Sequence, residues 1–320
     1  MSSPDWAFIR NMTPFTPYPY EGERVACPNC SGQSEAIANL DRKWKLLPTD
    51  VCTSCGLFFT NPMPREDELE DYYASTYRST YKLVFTAVPD TYTEKRRAEA
   101  DNRAGIIANL FDDARAAKRS LDLGCGLGTL VEALEKRGFD SYGFEPGELW
   151  SQHLKNDRIV RGNWRNVDFA DGSFDFVSII HVLEHLRAPL SCLGKVHKLL
   201  KDDGLLWVEV PDMQAYGTKG RKRFHFAHVL GFSRDNLIDA AFRCGFVPVK
   251  EITKEQIKKR RNQVSVVFRK ALPGDSIDID LTGTANKNRR EYGRFSYVTQ
   301  ALAGLVRPSG RHSSRPSRPS

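Results

Sequence analysis

Three glycines at alternate positions, Gly124, Gly126 and Gly128, lie in the stretch SLDLGCGLGTLVEAL (residues 120–134), after an apolar run and before an amphipathic one. Glycine at a strand-to-helix turn lets backbone approach a ligand, and the first helical turn beyond it offers N–H groups that have no helical partner. Asp122 stands two residues before the first glycine, Cys125 lies inside the loop, and Glu145 closes the next strand-like run. An acid about 20 residues beyond such a loop accepts the hydroxyls of a ribose. It repels a 2′-phosphate, which disfavours a phosphorylated dinucleotide. A dinucleotide loop prefers Gly-x-Gly-x-x-Gly. Here the last glycine position of that pattern is Thr129.

Four of the seven cysteines form a second constellation, Cys27-x-x-Cys30 and Cys52-x-x-Cys55. Each pair brings two thiolates onto one turn, and two pairs complete a tetrahedron. Four protein ligands leave no open position, so the expectation is a closed structural zinc, or iron in a purified sample. Cys125, Cys192 and Cys244 are scattered in apolar or helical surroundings and read as small buried hydrophobes. Histidines supply a third set. His181 opens HVLEHL, which also carries Glu184 and His185, and His225 and His228 lie in GRKRFHFAHVLGFS. Imidazole titrates near neutrality and suits a general base. Purely structural histidines are the alternative. Arg221, Lys222 and Arg223 precede that pair and either receive an anionic group of a substrate or form a solvated basic loop.

The elements that must carry these residues alternate. RSLDLGC, DSYGFEP, DRIVRGN, SFDFVSIIHVL and LLWVEVP read as strands, the fourth nearly all apolar as a central parallel strand should be. GTLVEALEKRG, GELWSQHLKN, LSCLGKVHKLLKDDG (with a glycine stop) and SRDNLIDAAFRCGF (with Ser233 as N-cap and an end at Gly245) read as helices. FVPVKEI and QVSVVFRK read as a closing strand pair. The pattern predicts an α/β fold, a doubly wound, Rossmann-like sheet, with the ligand at the carboxyl ends of the strands. Helices are expected near 65–78 and 92–111.

The boundaries expected are an irregular arm over 1–20, a zinc-ribbon module over 21–62, a helical lid or linker over 63–111, the main domain over 112–271, and a basic, disordered tail over 272–320. The tail reading rests on RPSGRHSSRPSRPS, whose four arginines, prolines and serines cannot build a core. The charged fraction of 27% beside 40% hydrophobic residues is that of an ordinary globular chain. No apolar run approaches a membrane span and no secretory signal is present, so a cytoplasmic location is expected. The net charge of +7 leaves nucleic acid open as a partner.

LDLGCGLGTLVEAL, GFEP, FADGSFDFVSIIHVLEHL and LLKDDGLLWVEVPD resemble the successive motifs of class I S-adenosylmethionine-dependent methyltransferases, over about residues 119–270. The resemblance implies a seven-stranded sheet. It implies that Asp122, Gly124, Cys125, Gly126 and Gly128 form the loop around the methionyl end of S-adenosylmethionine, and that Glu145 holds its ribose. Asn163 and Trp164 would edge the adenine, although Trp164 as a packing residue is an equal reading. His181 would lie beside the methionine moiety or the substrate, and His185 would hold the loop. CGLFFTNPMPREDELEDYYASTY resembles the N-terminal zinc-ribbon segment that precedes the methyltransferase domain in many bacterial enzymes, sugar and small-molecule methyltransferases among them. It places Tyr72, Tyr73 and Tyr77 on a lid helix, touching cofactor or substrate or simply packing. The His225/His228 segment resembles a loop of the sugar enzymes, which favours His228 over His225 as the base.

The implied function is O-methylation of a small molecule or glycan, a sugar or a nucleotide-linked sugar among the acceptors. The chain lacks the large third domain of full-length sugar C-methyltransferases and the Asn-Pro-Pro-Tyr motif of base N-methylation. Two alternatives stand beside it. One is an RNA methyltransferase gripping nucleic acid with ribbon and tail, although the knuckles offer only Lys43, Trp44 and Lys45 for that purpose. The other is an inactive cofactor-binding scaffold.

Overall fold

The computed structural model describes residues 13–72, 90–111, 118–147, 156–215, 224–258 and 263–304, with side chains described up to 292. The expected helix over GELWSQHLKN, together with Tyr73, Tyr77, Arg221, Lys222, Arg223 and the tail from 305, falls almost wholly outside these residues.

The main sheet has seven strands. They are β4 (Arg119–Leu123), β5 (Asp140–Glu145), β6 (Ile159–Arg161), β7 (Phe174–Ile180), β8 (Leu200–Pro211), β10 (Phe246–Glu251) and β11 (Gln263–Lys270). Their order across the sheet is β6-β5-β4-β7-β8-β11-β10. All neighbours run parallel except β11, which is antiparallel to both β8 and β10. This is the sheet the methyltransferase resemblance implies. In β7 only Ile180 escapes full burial, which is why the strand reads as one apolar run instead of an alternating one. The chain order reverses between β4 and β7, so a crevice opens at the carboxyl ends of β4, β5 and β7.

Helices follow their apolar spacing. α3 (Thr129–Glu135) buries Leu130, Val131, Ala133 and Leu134. α4 (Pro189–Leu199) buries Cys192, Leu193, Val196 and Leu199, spaced by three and four. It stops at Leu199, five residues before the glycine expected to end it, and Leu200 already pairs with Phe174. Asp202 and Asp203 explain the early stop, because acids at a helix C-terminus oppose its dipole. α5 (Arg234–Arg243) begins where predicted, with the Ser233 hydroxyl donating to Asn236 Oδ1 at 2.6 Å. Upstream, α1 (Glu66–Asp71) lies in the first part of the helix expected over 65–78, whose residues from 73 fall outside the described ones, and α2 (Asp90–Ala108) covers most of the helix expected over 92–111.

The cysteine module is a second sheet, β1 (Ser34–Leu40), β2 (Leu46–Cys52) and β3 (Phe58–Thr60), completed by β9 (Leu230–Gly231) from the far side of the chain. Phe58 pairs with Gly231 and Phe59 with Leu230, and the Thr60 N–H donates to Val229 O at 2.9 Å. Nothing in a two-residue strand announces this pairing locally. It makes the ribbon continuous with the loop that carries His225 and His228. Of the arm before it, the described residues 13–20 are packed: Tyr18 is buried, donates to Asp41 Oδ2 at 2.6 Å and stacks on Phe226.

The reading of residues 272–320 as a disordered tail is corrected over 281–304, which form helix α6 (Leu281–Gly304). Ala285, Thr284, Asn288 and Tyr292 are buried against the ribbon and the main domain. Asn288 Nδ2 donates to Gly56 O at 2.8 Å, Tyr292 Oη to Met213 O at 2.5 Å, and Arg289 clasps Glu35 with two contacts of 2.6 and 2.9 Å. Composition hid this helix because its docked face is mostly polar, and apolar periodicity therefore misses it. Gly56 shows how close the fit is. It sits at φ +80°, and a Cβ there would fall 2.8 Å from Ala285 Cα.

Candidate functional site

The glycine loop lies at the carboxyl end of β4. Gly124 (φ +77°), Gly126 (+56°) and Gly128 (+69°) all adopt left-handed backbone, which only glycine takes without strain. Gly124 and Cys125 direct their N–H groups inward to Phe144 O, at 2.7 and 3.1 Å. A Cβ on Gly124 would strike Val182 at 2.3 Å, whereas one on Gly126 would meet nothing within 4 Å. Gly126 therefore faces open space. Cys125 is buried, its thiol raised well above the usual range by burial, and its sulfur packs on Gly143. It lines the loop with backbone, not with its side chain.

Two acids face this loop. Asp122 is buried on β4, and Ser178 on β7 donates to its Oδ1 at 2.6 Å. Burial pushes its carboxyl up to about 7, against the opposing pull of the Ser178 hydrogen bond and the Arg103 charge. Glu145 ends β5, 8% exposed. Its Oε2 accepts from Gly126 N–H at 2.9 Å and its Oε1 from Gly147 N–H at 2.6 Å. Burial raises this carboxyl too, and the two N–H donors counter it. A carboxylate beside an open glycine loop at a switch point suits the paired hydroxyls of a ribose.

Asn163 and Trp164 follow β6, as expected. The Asn163 side chain is engaged locally, its Oδ1 accepting from Arg165 N–H at 2.8 Å. Trp164 is half-buried against the main core. The Arg165 guanidinium lies 4.4 Å over its ring, and its Nε1 is buried with no partner among the described residues. An unused donor at the place where an adenine edge is expected fits an incoming ligand.

His181 closes β7 in a left-handed conformation, φ +56°. It sits between two buried acids, its Nδ1 3.4 Å from Glu184 and its Nε2 3.2 Å from Glu209. Burial alone would lower its pKa. The contacts with Glu184 and Glu209 outweigh burial and lift it to about 9. The Gln263 amide lies 2.6 Å from His181 Nε2, and presenting its otherwise partnerless Oε1 satisfies both groups. Burial would raise the Glu209 carboxyl, but His181 and Arg103 hold it near 2. Arg103, on α2, reaches Glu209 at 2.6 Å.

Arg103 and Glu209 were missed by sequence reasoning, yet both left a signal. Arg103 shares a helix face with Ala100, Ala104 and Ile107, all buried, and Glu209 is the lone acid in the apolar end of its strand, GLLWVEVP.

The histidine loop meets this network from the ribbon side. His225 and His228 rings lie 3.8 Å apart, and His228 stands 4.7 Å from His185. Burial, reinforced by neighbouring cations, holds His225 and His228 well below the usual imidazole range, so both are neutral. His185 Nδ1 lies 2.6 Å from Ala227 O, which fits the expected loop-holding role. Tyr72 packs edge-on against Phe226 at 4.6 Å.

In the ribbon, Cys27 and Cys55 sulfurs are 3.6 Å apart and those of Cys30 and Cys52 3.4 Å. All four lie within 4.8 Å of one another. A tetrahedron with bonds of about 2.3 Å has edges of about 3.8 Å. The donor set and spacing fit a zinc ion.

A family model described as a methyltransferase domain matches residues 92–251, half of the chain. An uncharacterized 37.1 kDa protein of a Streptomyces fradiae transposon is 29% identical over 191 residues, 55% of each chain. A ubiquinone biosynthesis O-methyltransferase of Pseudomonas aeruginosa is 30% identical over 117 residues, 34% of this chain and 47% of that one. The chain thus spans about half the length of the curated relatives it matches. A Burkholderia thailandensis N1-methyltransferase, crystallised with 1,6-didemethyltoxoflavin and S-adenosylhomocysteine, is 20% identical, with 67% of this chain and 96% of that one covered at a TM-score of 0.49. Among the described residues no helix is long and apolar enough to cross a membrane. With the family model lying over the strands that present Asp122, the glycine loop and Glu145 at the carboxyl ends of two adjacent strands of a seven-stranded sheet, this chain belongs to the methyltransferase-domain family.

Proposed function

We propose that the chain binds S-adenosylmethionine and transfers its methyl group to a hydroxyl of a small-molecule or glycan acceptor, sugars included. The observation that carries this reading is the pairing of Glu145 with the open face of Gly126 beside buried Asp122. Glu145 holds the ribose hydroxyls, Asp122 and the loop hold the methionyl end, and Trp164 borders the adenine. When bound, the cofactor supplies a methyl group on a sulfonium. Displacement at that carbon needs an aligned acceptor and removal of the acceptor's proton. His225 and His228, kept neutral by burial, supply an imidazole to take that proton. His181, held as the cation between Glu184 and Glu209, orients and stabilises charge and does not act as the base. The name of the Pseudomonas aeruginosa relative, a ubiquinone biosynthesis O-methyltransferase, supports methyl transfer to a hydroxyl of a small molecule. The four cysteines hold a structural zinc that fixes the ribbon, and through β9 the histidine loop.

Calorimetric titration tests the cofactor. Micromolar binding of S-adenosylmethionine and S-adenosylhomocysteine is expected, and none of NAD. Absence of binding by both would overturn the reading.

Asp122 predicts a trade between stability and function. Its folded pKa is about 7, against about 3.9 in an unfolded chain. Between those values the unfolded chain releases a proton that the folded chain keeps. Stability therefore falls as pH rises from about 4 to about 7, and the loss is complete above that. Asp122→Asn should raise the melting temperature at pH 8 by a few degrees, about 1–2 kcal/mol after the cost of placing a new amide. The gain should vanish at pH 4.5, and cofactor affinity should fall about tenfold. Equal melting shifts at both pH values would refute a buried, proton-retaining Asp122.

A further inference from the structure

We propose that Glu184, His185 and His228 form a second metal site, for a divalent transition cation, on the acceptor side of the cleft. The inference goes beyond the methyl-transfer reading: the three ligands stand on their own geometry, and only their placement beside an acceptor rests on that reading. Glu184 is 1% exposed, and neither of its carboxylate oxygens has a hydrogen-bond partner among the described residues. A buried carboxylate without partners is costly. The nearest cation, His181 Nδ1, lies 3.4 Å from Oε1 and is shared with Glu209; Oε2 gains nothing from it.

Two imidazoles converge on the same acid. His185 Nε2 is 3.8 Å and His228 Nε2 4.0 Å from Glu184 Oε1, and one ligand atom from each of the three residues lies within 4.8 Å of the others. The tautomer of His185 is decided by its other nitrogen. Nδ1 faces Ala227 O at 2.6 Å, and a carbonyl only accepts, so Nδ1 carries the proton. That leaves Nε2, which faces the Glu184 carboxylate, as the nitrogen that can take a metal. A histidine that gives its second N–H to a backbone carbonyl is also the usual outer-shell arrangement of a metal ligand.

Two imidazoles and one carboxylate suit zinc or its first-row neighbours better than magnesium or calcium. Bonds of about 2.1 Å require ligand separations of about 3.4 Å, so closure shortens the two contacts to Glu184, now 3.8 and 4.0 Å, by about half an ångström, and the contact between the two imidazoles, now within 4.8 Å, by about 1.4 Å at most. The backbone that must hold these ligands is ordered by the fold: Glu184 and His185 share the short 3-10 turn Leu183–His185, and His228 precedes β9, which is paired to the ribbon. His185 and His228 side chains are 22% and 26% exposed, so the site is reachable from solvent. Three protein ligands leave positions for water or an acceptor oxygen. With the cation in place His228 is a ligand, and the acceptor's proton falls to His225.

The test is cobalt titration of the full-length chain after removal of metal by chelation. Cobalt in the ribbon gives a thiolate charge-transfer band; cobalt at this site gives ligand-field absorption without one. Wild type is expected to show a binding step of the second kind at micromolar affinity. Glu184→Gln and His228→Ala should each weaken that step at least 100-fold and keep the charge-transfer band, which reports an intact fold. His185→Asn should do the same if either of those variants loses the band. A wild type that binds cobalt only with the thiolate signature overturns the proposal. So does retention of the second step in the folded variants. Neither result touches the cofactor reading, which is measured separately.

Discussion

Cys52→Ser should release the ribbon's metal and lower the melting temperature of the whole chain by about 10 °C or more. Structural zinc sites in isolated finger peptides bind with about 10–16 kcal/mol, and that free energy is folding free energy. Here the ribbon is not a detachable bead. Asn236 Nδ2 donates to Cys55 O, and Asn288 Nδ2 donates to Gly56 O. Asn29 Nδ2 reaches Asp239 Oδ2 at 2.7 Å. Each of these ties a cysteine knuckle to α5 or α6, and β9 adds backbone pairing. Losing the metal frees both knuckles and strands those buried amides without partners, at about 1–3 kcal/mol each. A cooperative fall in a single melting transition, with zinc content lost by elemental analysis, is the expected result. Full metal retention would refute the four-thiolate site. A separate low-temperature transition with the main melting unchanged would refute the coupling.

Glu145→Ala should weaken S-adenosylmethionine binding about 100-fold and leave the melting temperature within a few degrees. Two hydrogen bonds to a carboxylate are worth about 1.5 kcal/mol each or more. The fold does not need this acid. Its two donors, Gly126 and Gly147, are half-buried loop N–H groups, and burial of the carboxylate is itself unfavourable, as its raised pKa shows. The same shift sets a pH dependence. Only the ionised form accepts both ribose hydroxyls, so affinity should decline as pH falls through a value above the ordinary glutamate range. Calorimetry on wild type and Glu145→Gln separates the contributions, because the glutamine variant should bind weakly and lose that pH dependence. Unchanged affinity in Glu145→Ala removes the ribose role.

The residues that carried the site were legible where chemistry is local. The glycine spacing, Asp122 and Glu145 belong to one strand-turn-helix-strand unit, and alternation of apolar runs and turns encodes such a unit directly. The two knuckles were legible for the same reason, since four thiols at that spacing converge whatever surrounds them. Arg103 and Glu209 were harder, because a charged residue in a helix or strand declares itself only once its face is known to be buried.

Chain order and residue type by themselves thus determined the doubly wound sheet, the ligand loop at its switch point and the four-sulfur cluster. Each follows from short-range periodicity and spacing. Tertiary structure alone decided three other matters. It turned residues 281–304 from tail into a helix, through polar contacts that apolar periodicity does not register. It joined ribbon to core through a two-residue strand, whose pairing depends on a partner about 170 residues away in the chain (Phe58 with Gly231). And it brought His228, from more than forty residues further along the chain, to Glu184, whose own turn carries His185 and whose carboxylate has no hydrogen bond among the described residues. Side chains that meet across such distances are brought together by packing, and no local pattern records their meeting.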